Sequence, residues 1–231
     1  MDWLTAGHSV QLICEATPWL EEPPADDRKA AHRRRRSFAA VSGSMPARVV
    51  VILAANFAGS CPNLMTDMRC GIYERRPLVC RVYPAEINPF IKLDAARKSC
   101  PTEAWSVEHP LLLRDGHVAD ARVRANIRQS RDTDRRNVAI KRRLCMALNL
   151  NSAALADEGF VVHSPDRGVL LTELARAAED GDTETADADW CFISNRAETV
   201  ASLAVHGALA SLAGTSGKPP FEYLGFHPPS H

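Results

Sequence analysis

Residues 61–84 read CPNLMTDMRCGIYERRPLVCRVYP, and they decide how the middle of the chain can fold. Pro62, Pro77 and Pro84, followed by Pro89 and Pro101, each remove an amide donor and restrict the residue before them. Residues 61–101 are therefore read as loop and short extended pieces, not as one long helix. So little apolar material makes a poor core by itself, and a metal ion can organise a segment of this kind. Cys61, Cys70 and Cys80 supply three thiols within it, and Cys100 supplies a fourth.

Soft thiolates favour zinc or iron–sulfur chemistry over calcium or magnesium. Four of them can close a tetrahedral zinc site or fill every protein-ligand position of a common cluster. The spacing is looser than a CxxC pair and leaves zinc and an iron–sulfur cluster both open. Arg75, Arg76 and Arg81 place positive charge beside the thiols, where they could lower thiol pKa values. Tyr73 and Tyr83 are expected to pack the loop through their rings. His109 is the candidate substitute should Cys100 not serve, although a solvated loop histidine is the plainer reading.

Cys61, Leu64, Cys70, Ile72, Tyr73, Arg76, Pro77, Cys80, Arg81, Tyr83 and Pro84 together resemble the C-terminal half of the CxxCxxCC, or YkgJ-like, family of zinc- or iron-chelating cysteine-cluster domains. Cys100 matches that family's later cysteine. The dense cysteine signature that names the family should lie upstream, where only Cys14 stands. The resemblance therefore implies a metal-binding protein with one four-cysteine centre rather than a multinuclear one. Some relatives are associated with lysine methylation of flagellin, so the leading enzyme reading it implies is an S-adenosylmethionine-dependent protein-lysine N-methyltransferase. No glycine-rich strand-to-helix turn, radical-type cysteine triplet, Ser/His/Asp set or His-Glu-x-x-His supports a particular chemistry, so no catalytic residue is assigned.

Upstream, residues 1–44 are read as a polar, partly mobile region with one short helix, because Glu21–Pro24 and then Arg33–Arg36 interrupt any apolar period. The arginine run is read as a solvated face. No aromatic residues are interleaved with it, and 28 basic side chains balance 28 acidic ones, so a nucleic-acid partner is disfavoured. Cys14 is read as a small buried hydrophobe. Residues 45–108 form the cysteine region, entered through an apolar run from Arg48 to Ala58 that fits a buried helix or strand.

Downstream, Leu111–Leu113 followed by Asp115–Gly116 predicts a short strand and a tight turn. Helical spacing then predicts helices through Ala119–Ile127, Val138–Leu148, Val169–Ala178 and Ile193–Leu212 within a helical region, 109–214, before an irregular tail, 215–231. Cys145 and Cys191 are read as core thiols. The fold expected is mainly α: a helical domain with a loop-rich, Cys-organised metal-binding insert and little β. A basic face over residues 122–143 offers a third reading, in which metal staples a helical adaptor for a protein partner. The longest apolar run, Val49–Ala55, is too short to cross a bilayer, and the first residues lack the pattern of a secretory leader, so a cytoplasmic location is the default.

Overall fold

The computed structural model describes residues 2–179, 189–214 and 220–228. It divides into two units, one of residues 1–59 with 137–231 and the other of residues 60–136.

The first unit is built on a sheet. In β1 (Ser9–Pro18), Leu12, Cys14 and Ala16 are buried and the residues between them are less so, the period-two signature of a strand. β1 pairs antiparallel along its whole length with β3 (Met45–Asn56), from Ser9 opposite Asn56 to Pro18 opposite Ala47. β2 (Ser37–Ser42) returns as a hairpin on β3. Its turn needs Gly43, which has φ +59, and where a Cβ would lie 2.4 Å from the carbonyl oxygen of Gly207.

The other edge of β1 is shared. β7 (Gly159–His163) pairs antiparallel with Leu12–Cys14, and β6 (Ser152–Leu155) pairs parallel with Glu15 and Ala16. β8 (Cys191–Ser194) and β9 (Ala210–Leu212) continue in parallel from β6, and β10 (Phe221–Gly225) pairs antiparallel with β7. These strands make an eight-stranded mixed sheet. Val41 of β2 also bridges Asp189, just ahead of β8, and the Trp190 amide donates to the Val41 carbonyl at 2.8 Å. Inside lie Leu12, Val49, Val51, Phe38 and Phe192, closed by Leu144 and Cys145 of α5 (Val138–Ala147), Leu170 of α6 (Arg167–Glu179) and Leu203 of α7 (Ala197–Val205).

With 35% helix and 27% strand this is an α/β fold, and the mainly helical expectation is overturned. The N-terminal stretch taken as polar with one short helix holds α1 (Asp2–Thr5), β1, α2 (Arg28–Arg35) and β2. The single helix expected over Ile193–Leu212 is instead β8, α7 and β9. The positions Ala197, Val200, Ala201 and Ala204 do repeat at helical spacing, but Gly207 at φ +80 ends the helix. Phe192 and Ile193 form a short buried run, and such a run does not declare its period. Residues 221–225 of the expected irregular tail are β10, and 215–219 and 229–231 lie outside the described residues. The helices α5 and α6 fall where helical spacing puts them.

The second unit contains α3 (Leu78–Val82), the small hairpin of β4 (Leu113–Arg114) and β5 (His117–Val118) around Asp115–Gly116, and α4 (Ala121–Arg136), as well as short 3-10 turns. The hairpin and α4 agree with the strand-turn and helix readings of this segment. The unit's buried core is Val82, Ala85 and Ile127, flanked by Ile87, Leu112, Val118 and Val123. Arg131 Nε reaches across from α4 to the Ile87 carbonyl at 2.7 Å. Among the described residues no helix is long and apolar enough to cross a membrane.

Candidate metal centre

All four candidate ligands lie in the second unit. Residues 61–71 fold back on themselves: the Met65 amide donates to the Arg69 carbonyl at 2.8 Å, the Gly71 amide donates to Asn63 at 2.8 Å, and Leu64 bridges Cys70. Met68 at φ +67 makes the reversal, and the Asp67 carboxylate accepts from the Arg69 amide at 3.1 Å. The turn therefore returns Cys70 to the start of the loop, beside the residues that follow Cys61.

The ten-residue step from Cys70 to Cys80 is held by arginines acting on backbone. Arg81 donates through Nε to the Arg76 carbonyl and through Nη2 to the Glu74 carbonyl, both at 2.7 Å. The Arg76 guanidinium lies 3.6 Å over the Tyr73 ring, and its Nε donates to the Tyr73 carbonyl. These contacts gather the turn at Tyr73–Arg75 against the start of α3, which carries Cys80. Burial pushes the Cys80 thiol up, charge on Cys61 and Cys70 pushes it further, and Arg76 opposes them. Three thiols thus share one electrostatic neighbourhood. For Cys80 the expected arginine-driven lowering is overturned, because burial and like charge outweigh Arg76.

Cys100 comes from a separate loop, tied back to α3. The Ser99 amide donates to the Tyr83 hydroxyl at 2.8 Å, and Lys98 Nζ pairs with Glu86 at 2.5 Å while lying 5.6 Å from the Tyr83 ring centroid. The neighbour of the fourth cysteine is thereby fastened three residues beyond the third. No period in the sequence announces this tether, since its partners face each other across an irregular, proline-broken chain.

The donor set suits a thiophilic metal. Four thiols lie in one unit, all exposed or partly exposed and none in a disulfide. The side chains are not gathered to coordination distance: among the described residues no three His, Cys, Asp or Glu side chains form a group that could hold an ion. His109 is exposed. The other three cysteines are in the first unit. A hydrogen bond with Cys145 and burial hold the Cys14 thiol well above the usual thiol range, so it stays protonated in the core, as a small buried side chain. Cys145 is likewise buried, and Cys191 is half-buried in β8.

A match to a known family spans the sheet strands β1–β3, from the middle of β1, and the cysteine loops. Residues 14–101 match the CxxCxxCC family. Its description is "Putative zinc- or iron-chelating domain", which supports metal binding in general terms. The CxxCxxCC match opens at Cys14, the one cysteine upstream of the loops, yet that thiol is in the sheet core. No curated protein and no solved structure matches the chain.

Proposed function

We propose that Cys61, Cys70, Cys80 and Cys100 chelate one metal centre, a zinc ion or an iron–sulfur cluster, whose role is to organise residues 60–136. The observation that carries this reading is that Cys61 and Cys70 stand near enough to Cys80 to raise its thiol pKa, in a loop segment that lies within the chelating-domain match. Four thiolates would satisfy tetrahedral zinc or a common cluster without further protein ligands. The Tyr83–Ser99 and Lys98–Glu86 contacts, which tether the loop before Cys100, support including Cys100.

No observation favours the methylase or the adaptor reading. Several arginines of the basic face are already engaged on backbone carbonyls: Arg124 on Val118 and Ala119, Arg131 on Ile87, and Arg143 on Ala177. The test is metal analysis of protein purified without oxygen. Stoichiometric zinc, or iron with acid-labile sulfide and a visible absorption band, supports the proposal. Protein free of both after such purification, and unable to take up either metal, overturns it.

A further inference from the structure

In the first unit, a cavity of about 490 Å3 opens between the loop at Glu22–Ala25 and helix α2. The sequence builds its walls from stiff and charged parts. Pro23 and Pro24 fix one side, each with its φ locked by the ring. Asp27 caps α2 by accepting from the Ala30 amide at 2.8 Å, and the helix then presents Arg34 and Arg35 to the cavity. Arg48 comes from β3 and is held firmly. Its Nε donates to Ser37 Oγ at 2.8 Å, and its Nη2 donates to the carbonyls of Ser37 at 2.7 Å and Arg34 at 3.1 Å.

The charges in this lining do not balance. Three guanidiniums face one carboxylate, Glu22, which pairs with Arg34 at 2.5 Å. The Arg35 guanidinium makes no hydrogen bond or ion pair with any described residue. Burial and then the Arg34 charge make Arg48 somewhat less basic than a free guanidinium, the response of a cation crowded by another cation. A lining that holds two positive charges in excess favours an anion, and the planar fork of arginine matches tetrahedral oxyanions bidentately. The cavity volume also lies within the range of small-ligand sites, roughly 300–1,000 Å3.

We propose that this cavity binds a phosphate-type oxyanion carried by a small molecule, with Arg34 and Arg35 forked on its oxygens and Arg48 behind them. Glu22 is then the built-in competitor: it holds Arg34 in the empty cavity and is displaced when the anion enters. Pro23 and Pro24 offer an apolar wall to the rest of the molecule. The site is independent of the cysteine reading, because every residue in it belongs to the first unit.

The experiment is titration calorimetry of the full chain with inorganic pyrophosphate at fixed ionic strength, on wild type, Arg35→Ala and Glu22→Gln. Arg34, Arg35 and Glu22 are exposed, so the two substitutions leave the core untouched. Saturable binding is expected, weakened at least about tenfold by Arg35→Ala, the loss of a charge-assisted hydrogen-bond donor. Glu22→Gln should bind more tightly than wild type. A merely structural Glu22 would give the opposite sign. Absence of saturable binding, or identical binding by all three proteins, overturns the proposal. A single-stranded oligonucleotide is the second probe. If it binds with steep salt dependence while pyrophosphate does not bind, the arginines are an open basic face and the small-molecule site is refuted.

Discussion

Stripping the metal should loosen residues 60–136 and leave the sheet unit folded. Three side chains are fully buried in the second unit's core, Val82, Ala85 and Ile127. Burying Val82 and Ile127 is worth about 1.5–3 kcal/mol each, and Ala85 adds about 1 kcal/mol, so this core contributes on the order of 4–7 kcal/mol before any chain entropy is charged against it. A structural four-ligand zinc site contributes about 10–16 kcal/mol in small peptides. A bound centre of that kind would outweigh the core, and the unit's order would then depend on it. The first unit has nineteen buried residues in its main cluster and no candidate ligand among them, its two cysteines there, the protonated Cys14 and Cys145, being core thiols. The assay is hydrogen exchange with limited proteolysis, on protein with its metal, on chelator-treated protein, and on Cys70→Ser and Cys80→Ser. Loss of metal should expose amides of the 61–71 turn and of α3, while β1 and β3 keep their protection and Cys191→Ser keeps its metal. Unchanged protection across residues 60–136 in protein proven metal-free would refute the reasoning.

Tyr83→Phe removes the hydroxyl that accepts from Ser99, a hydrogen bond worth about 0.5–1.5 kcal/mol, so metal affinity in a chelator competition should fall roughly two- to tenfold. If neither Tyr83→Phe nor Cys100→Ser changes affinity, Cys100 leaves the ligand set. Gly43→Ala and Gly7→Ala both force an alanine to positive φ, costing about 1–2 kcal/mol, but only at Gly43 does the new Cβ meet backbone, 2.4 Å from the Gly207 oxygen. Thermal melts should show Gly43→Ala as the more destabilised of the two, and equal melting would mean that the approach of the two turns is loose. His163 is buried, and its Nε2–H donates to the Ser152 carbonyl at 3.0 Å while Nδ1 has no partner, so a second proton would be an unanswered donor in the interior. Burial holds its pKa below the usual histidine value, with the Ser152 bond opposing. The unfolded chain thus takes up the proton first, so the stabilising effect is complete above the ordinary histidine pKa and lost as pH falls below it. Denaturant midpoints measured from pH 8 down to pH 5 should decline for wild type and decline less for His163→Leu.

Which parts of this fold can be read from the chain follows from where each element's burial signal resides. α5 and α6 bury one stripe each, and a stripe at helical spacing is written within the element itself, so Lys141, Leu144 and Cys145, or Leu170, Leu171 and Leu174, announce the helix without reference to anything distant. The β4–β5 hairpin is legible for the same reason, its turn residues Asp115 and Gly116 being adjacent. β8 is the opposite case. Its four residues are ordered by β6, far away in sequence, and by β9, beyond α7, and the few apolar side chains it holds merge with the helical spacing of α7 that follows. β1 did carry its own alternation at Leu12, Cys14 and Ala16, but its meaning depends on pairing with β3 some forty residues later, and the charged stretch between them masked it. The candidate centre divides along the same line. Cys61, Cys70 and Cys80 stand in a local pattern that family resemblance can recognise, and their turn is closed by neighbours such as Arg69 and Asn63. The loop before Cys100 is tied at Ser99 and Lys98 to Tyr83 and Glu86, contacts with no local period. Cys100 is therefore the candidate whose placement depends on tertiary contacts, and substitutions at Tyr83 test it in a way that substitutions within the 61–80 loop do not.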